Sequence, residues 1–197
     1  MEYIFIFIAY LSGSVPYGLI FTKLFSGVDV RKIGSGNIGT TNVLRTGHKS
    51  IAAATLVCDV LKGFLPIILA SHVGIEGIPL LAVAFAAVLG HVFPIWLRYQ
   101  GGKGVATSLG VFGALSLPLG VFSTFMWIII TRFVKISSLS SLCIFALSPI
   151  FAALVLSWSM AIFCFFIALL IFWTHRSNIQ RLMAGKEAEI GETQEGN

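Results

Sequence analysis

The apolar and polar positions divide the chain into long greasy stretches separated by short charged ones. Tyr3 to Thr22 is 20 residues without Asp, Glu, Lys or Arg, Gly104 to Thr131 is 28, and Ile136 to His175 is 40. A helix crossing a bilayer needs about 20 predominantly apolar residues. The third stretch therefore predicts two spans, with a turn at Ser157-Trp158-Ser159. Residues 51–71 and 79–97 predict two more. Nothing alternates with a period of two over about 10 residues, as the strands of a barrel would. The second stretch is long for one helix and carries Pro118 at its middle, where the ring removes a hydrogen bond and clashes with the preceding turn. Read as two short spans meeting near Leu117-Pro118, it brings the expected count to seven helices.

Composition agrees with the pattern. Of the 197 residues, 57% are hydrophobic and 11% charged, against roughly 25% charged in a soluble domain. That excludes a water-soluble globule, and equally a disordered chain, which needs low hydrophobicity and high charge. The net charge of +5 does not make so greasy a chain a nucleic-acid binder. It reads instead through the positive-inside rule. With seven spans, 12 of the 13 Lys and Arg residues fall on one side, and only Lys62 is left inside a span. The expectation is an all-α polytopic membrane protein with its N-terminus outside and its C-terminus cytoplasmic. Met1-Glu2 offers no positive region for a cleavable signal. Residues 1–187 read as a single membrane-embedded domain and residues 188–197 as an acidic cytoplasmic tail.

The loops differ by side. The outer ones are short and nearly uncharged, whereas the inner segment from Lys23 to Ser50 holds five cations and five glycines in 28 residues. Glycine lets backbone N–H groups converge on an anion, and Arg and Lys are the usual phosphate partners. Gly34-Ser35-Gly36-Asn37-Ile38-Gly39-Thr40-Thr41-Asn42, followed by Arg45, reads as one anion cradle. Gly101-Gly102-Lys103-Gly104, opening a helix, reads as a second, where the helix N-terminus also favours an anion. Two cradles suggest two phosphate-bearing substrates. Gly34, Gly36 and Gly39 also imitate a dinucleotide fingerprint, but that motif needs a soluble βαβ unit around it. Gly47-His48-Lys49-Ser50 is likewise no P-loop, because its upstream glycine spacing is wrong.

Asp59 and Lys62 stand three apart on the second predicted span, on one helix face. Ionisable residues inside a bilayer pair or work, so a helix-orienting ion pair, a proton or ion path and a substrate contact all remain open. The first is the plainest. No histidine pair has metal-ligand spacing, and Cys58, Cys143 and Cys164 are scattered within spans, which gives neither a disulfide nor a zinc signal. The sequence implies no metal and no cofactor. A small transporter is the rival class, served by Asp59, Lys62 and the prolines within spans. Transport sites, however, lie near the bilayer midplane, and here the polar groups gather in loops on one side.

Three segments resemble a known family. Ser12-Gly13-Ser14-Val15-Pro16-Tyr17-Gly18 with Gly34 to Arg45 resembles the first motif region of the PlsY family of bacterial acyl-phosphate-dependent glycerol-3-phosphate acyltransferases. Gly90-His91-Val92-Phe93-Pro94 with Gly101 to Thr107 resembles the second. His175-Arg176-Ser177-Asn178-Ile179-Gln180-Arg181-Leu182 with Gly185-Lys186-Glu187 resembles the third. The resemblance runs from the first span to Glu187. It implies a seven-span enzyme of the bacterial inner membrane, with its active site on the cytoplasmic face, at the first step of phospholipid synthesis. Such an enzyme transfers an acyl group from acyl phosphate to the sn-1 hydroxyl of glycerol-3-phosphate, giving lysophosphatidate and phosphate. Its implied partners are the two substrates, membrane lipid and an enzyme that makes acyl phosphate.

Carried over residue by residue, the resemblance makes Ser35, Arg45, His175 and Asn178 catalytic. It gives substrate binding to Gly36, Asn37, Gly39, Thr40, Thr41 and Asn42, to Gly101, Gly102, Lys103 and Gly104 for glycerol-3-phosphate, and to Ser138. Glu187, like the pair Asp59 and Lys62, reads as structural. The base for the hydroxyl proton is either His175 or phosphate on the substrate, with the balance toward the latter. No histidine is followed four residues later by Asp, the soluble-type acyltransferase signature; that makes acyl-CoA a poor donor.

Overall fold

The computed structural model describes residues 1–190. Ten α-helices follow in order: α1 (Glu2–Ser14), α2 (Tyr17–Ser26), α3 (Thr40–Leu44), α4 (Lys49–His72), α5 (Gly77–Val92), α6 (Val105–Leu115), α7 (Leu117–Val134), α8 (Ser137–Val155), α9 (Trp158–Thr174) and α10 (Arg176–Met183). There is no strand among the described residues. The chain is an all-helical, multi-pass membrane protein. Of the proposed tail, residues 191–197 lie outside the described residues.

The breaks fall where proline and short polar residues put them. The first apolar stretch is two helices, because Pro16 has no N–H and α1 ends in extended backbone at Val15. The 28-residue stretch also breaks, at Ser116, whose side chain accepts a hydrogen bond from the Leu119 N–H and caps α7 with a proline in its first turn. Among the described residues, five helical segments are long and apolar enough to cross a membrane: 2–26, α4, 77–97, α7 and α8. A sixth arises if α9 and α10, bent by 65° at His175, count as one. α6 has 11 residues, about 16 Å of helix, or half of the hydrocarbon thickness.

Between helices in lipid the hydrophobic effect supplies no drive, so close packing and small residues hold the bundle. α1 lies on α5, α4 on α6, and α8 on α9. A Cβ on Gly13 of α1 would sit 2.0 Å from the Ala87 carbonyl oxygen of α5, and one on Gly63 of α4 would sit 2.3 Å from that of Thr107 in α6. Backbones this close accept nothing larger than glycine. The main core gathers Ile67, Val83, Val88, Phe112, Leu119, Phe145, Ile167 and Ile171, all fully buried. A smaller core of Leu19, Val30, Ile38, Val43, Ile51 and Ala52 anchors the segment between α2 and α4 against the end of α4. That second core is what places the first loop.

Candidate functional site

Asn42 ties the first loop together. Buried in α3, it reaches the carbonyl oxygens of Val30, Ile33 and Asn37 with its Nδ2 at 2.8–3.0 Å, and its Oδ1 accepts from the Ser35 N–H at 3.1 Å. The Gly36 N–H donates to Ile33, and the Gly39 N–H to Asn37 Oδ1. These amides therefore fold the loop onto itself. Gly34, at φ +51°, has no room for a side chain, since a Cβ would stand 2.6 Å from Asn42 Oδ1 and 2.9 Å from Arg45 Cδ. The loop so made presents Ser35 and Asn37 outward. Thr41 Oγ1 meets Ser137 Oγ at 3.3 Å, and Thr40 Oγ1 and Arg45 Nε are buried without a hydrogen-bond partner.

The second loop doubles back along the end of α5. Its turn runs through Arg98 and Tyr99 at positive φ, after which the Gly101 N–H donates to Val92 and the Gly102 N–H to His91. These two amides, too, are spent inside the protein. The glycines serve close approach instead, because a Cβ at Gly101 would lie 2.1 Å from the His91 carbonyl oxygen. Lys103 follows with its own carbonyl accepting from Thr174 Oγ1 at 3.0 Å. Burial pushes the Lys103 ammonium down to about 8, helped by the charges of Arg181 and Arg45 and opposed by Glu187.

Glu187 closes the third side. It accepts from Asn178 Nδ2 at 2.5 Å, Ser138 Oγ at 2.7 Å and Arg181 Nε at 2.7 Å. Burial would raise its carboxyl, but the three hydrogen bonds and the Arg181 charge outweigh it and hold the group below its usual range. One carboxylate thus joins α8, α10 and the chain after α10. His175, just past the last turn of α9, faces the Ile171 carbonyl oxygen with Nδ1 at 2.8 Å. A carbonyl only accepts, so Nδ1 carries the proton. Burial first, and then Lys103, lower the ring to about 4.

Ser35, Gly36, Asn37, Gly101 and Lys103 line one cavity of about 260 Å³, together with Thr174, Arg176, Ser177 and Arg181. The two glycine loops and the α9–α10 corner therefore meet, although even Asn37 and Gly101 are 64 positions apart in sequence. Gly39, Thr40, Thr41, Asn42, Arg45, Gly102, Gly104, Ser138, His175 and Asn178 stand around or behind this lining. Sequence reasoning assigned nothing to Arg176, Ser177, Thr174 or Arg181. Arg181 was the most legible of these, three residues after Asn178 on α10, which is the same helix face. Asp59 and Lys62 are elsewhere, paired at 2.7 Å inside the bundle, with Lys62 Nζ also donating to the Val15 carbonyl at 2.8 Å where α1 breaks.

The comparison with known proteins is unambiguous. The family model for glycerol-3-phosphate acyltransferase matches residues 3–185. The chain belongs to the PlsY family. Among its relatives is the glycerol-3-phosphate acyltransferase of Methylorubrum extorquens (strain PA1), 50% identical over 185 residues, 93% of this chain and 90% of that one. The one from Bartonella henselae is 47% identical over 194 residues, covering 96% and 91%. The crystal structure of PlsY, an integral membrane glycerol 3-phosphate acyltransferase, in its glycerol 3-phosphate form superposes with a TM-score of 0.90 at 36% identity, over 96% of each chain. Its lysophosphatidic acid form gives 0.88. The chain shares the fold of that structure over 96% of its length.

Proposed function

We propose that this protein acylates the sn-1 hydroxyl of glycerol-3-phosphate with acyl phosphate as donor, releasing lysophosphatidate and inorganic phosphate. Family membership carries the acyl transfer to glycerol-3-phosphate. The donor reading is supported by a cavity that is small, polar and cationic, with Lys103, Arg176 and Arg181 around Ser35 and Asn37. Such a lining suits two phosphates that otherwise repel each other, so catalysis is mainly positioning and electrostatic stabilisation. The attacking oxygen forms a bond to the acyl carbon, the carbon–oxygen bond to phosphate breaks, and phosphate leaves with the electron pair. A phosphate oxygen takes the hydroxyl proton. His175 is the weaker base, because its ring is lowered to about 4, below the phosphate second pKa of about 6. Its Nδ1–H bond to Ile171 fits a residue that fixes the corner beside Asn178.

The acyl chain would lie among the helices while both phosphates sit at the cytoplasmic end. We place the N-terminus outside and the C-terminus inside, with seven crossings in one domain and the short α6 as one of them. This orientation leaves the cations of the loops on the inner-membrane face that meets the cytoplasm. The test is phosphate release from purified protein given acyl phosphate, with and without glycerol-3-phosphate. Release that requires both substrates supports the reading; acyl transfer from acyl-CoA alone, with acyl phosphate inert, would sink it. Labelling of single cysteines placed at residues 76 and 186 from opposite sides of sealed vesicles tests the orientation.

A further inference from the structure

The second loop rests on a side chain that the reaction itself does not use. His91, at the end of α5, is buried, and a Cβ added to Gly102 would fall 2.0 Å from its Nε2. The ring therefore fills the space beneath Gly102, while the His91 carbonyl accepts the Gly102 N–H at 3.0 Å. On its other side, Nδ1 stands 3.8 Å from Asp59 Oδ1 and has no hydrogen-bond partner. Asp59 in turn holds Lys62 at 2.7 Å, and Lys62 is pinned to the Val15 carbonyl of the broken first span. A column thus runs from α1 and α4, through the ion pair and the imidazole, to the residue before Lys103. Packed interiors transmit strain because they have little free volume.

We propose that His91 is a positioning residue: it props the Gly101–Lys103 loop at a height fixed by the Asp59–Lys62 pair, and so sets where Lys103 meets the phosphate of glycerol-3-phosphate. This rests on the acyltransferase reading and on the assignment of that loop to glycerol-3-phosphate. It assigns His91 no proton transfer, since its ring touches the floor of the loop and not the cavity lining. The ion pair, by the same geometry, is the foundation of the binding loop and not a pathway through the membrane.

The test is steady-state kinetics on the full-length protein with each substrate varied. His91→Ala raises the KM for glycerol-3-phosphate about tenfold or more, with kcat and the KM for acyl phosphate changed less than about threefold. His91→Gln, which refills much of the space under Gly102, recovers most of that loss. A second comparison works even if the alanine variant does not fold. Gly102→Ala alone collides with the ring, whereas Gly102→Ala with His91→Gln has a flexible end that gives way. The pair should bind glycerol-3-phosphate several-fold better than Gly102→Ala alone, a non-additive effect of residues in contact. Losses that simply add, or both KM values rising together, overturn the proposal. Wild-type protein that fails to transfer from acyl phosphate overturns the functional reading instead; calorimetric binding of glycerol-3-phosphate to the same variants then still tests His91.

Discussion

Lys103 gives the sharpest test of the site. Its ammonium is lowered to about 8 from the usual 10.5, chiefly by burial. On the proposed function the charged form would hold a phosphate; it predominates below that value and is lost as pH rises through it. At pH 9 roughly nine-tenths of the free enzyme would carry a neutral lysine. A hydrogen bond to a charged group contributes about 1.5–3 kcal/mol, or roughly 10- to 150-fold in binding. The assay is kcat/KM for glycerol-3-phosphate at acyl phosphate well below its own KM, between about pH 6 and 9.5, a quantity that reports the free enzyme. Wild type should fall on an alkaline limb near pH 8. In Lys103→Arg the guanidinium stays charged, so the limb should vanish even though the forked group fits less well and the plateau is lower. Lys103→Ala should sit about 10- to 100-fold down and flat across the range. If wild type and Lys103→Arg fall at the same pH, some other group is titrating and the account of this lysine is wrong.

Other outcomes follow from the same contacts. Asn42→Ala leaves the Asn37 carbonyl and the Ser35 N–H without a partner and takes a second donor from the Val30 and Ile33 carbonyls, and should destabilise the first loop by on the order of 3 kcal/mol; Asn42→Asp should do no better, because a carboxylate cannot donate to those carbonyls, and thermal unfolding in detergent measures both. The carboxyl of Glu187 is held below its usual 4.5, so the stability it contributes is complete above about that pH and is lost as pH falls through the lowered value. Glu187→Gln should flatten that acid-side loss in thermal midpoint, and a variant that keeps the full wild-type acid slope would show that the slope comes from elsewhere. Asp59→Asn strands Lys62 and should cost about 3–5 kcal/mol, while replacing both with leucine and methionine should cost much less; equal losses in the two variants would mean that the pair is not coupled.

The helical membrane architecture was legible because most spans read as long, nearly uncharged runs. One boundary shifted for a local reason, because Pro16 divides the first stretch into α1 and α2. The breaks expected near Leu117-Pro118 and at Ser157-Trp158-Ser159 fall there, with Ser116 capping α7 and Ser157 capping α9. The convergence of the two loops on Ser35 and Lys103 was legible only through the order of the motifs, not through spacing, since residues so distant in sequence carry no local signal of contact. Arg176 and Arg181 were hidden for another reason. Beside a membrane, a basic residue reads first as a topology marker, and nothing in the sequence separates a marker from a ligand. The structure adds their place: the 65° bend at His175 brings Arg176 and Arg181 to the lining of the cavity.

The glycines do more than free N–H groups for an anion. A glycine-rich run beside a cation suggests free N–H groups aimed at an anion. In this protein the amides of Ser35, Gly36, Gly39, Gly101 and Gly102 are all bonded within the protein. What the glycines provide is room, for Asn42 and Arg45 against Gly34 and for the His91 carbonyl and ring against Gly101 and Gly102. On the proposed function the side chains of Lys103, Arg176 and Arg181, which line the cavity, would hold the anions. That division has a consequence for substitution. Replacing Gly102 moves the His91 ring rather than removing a ligand, so its damage should be relieved by a smaller or more flexible neighbour. Replacing Lys103 removes the charge itself, and no second change nearby should restore it.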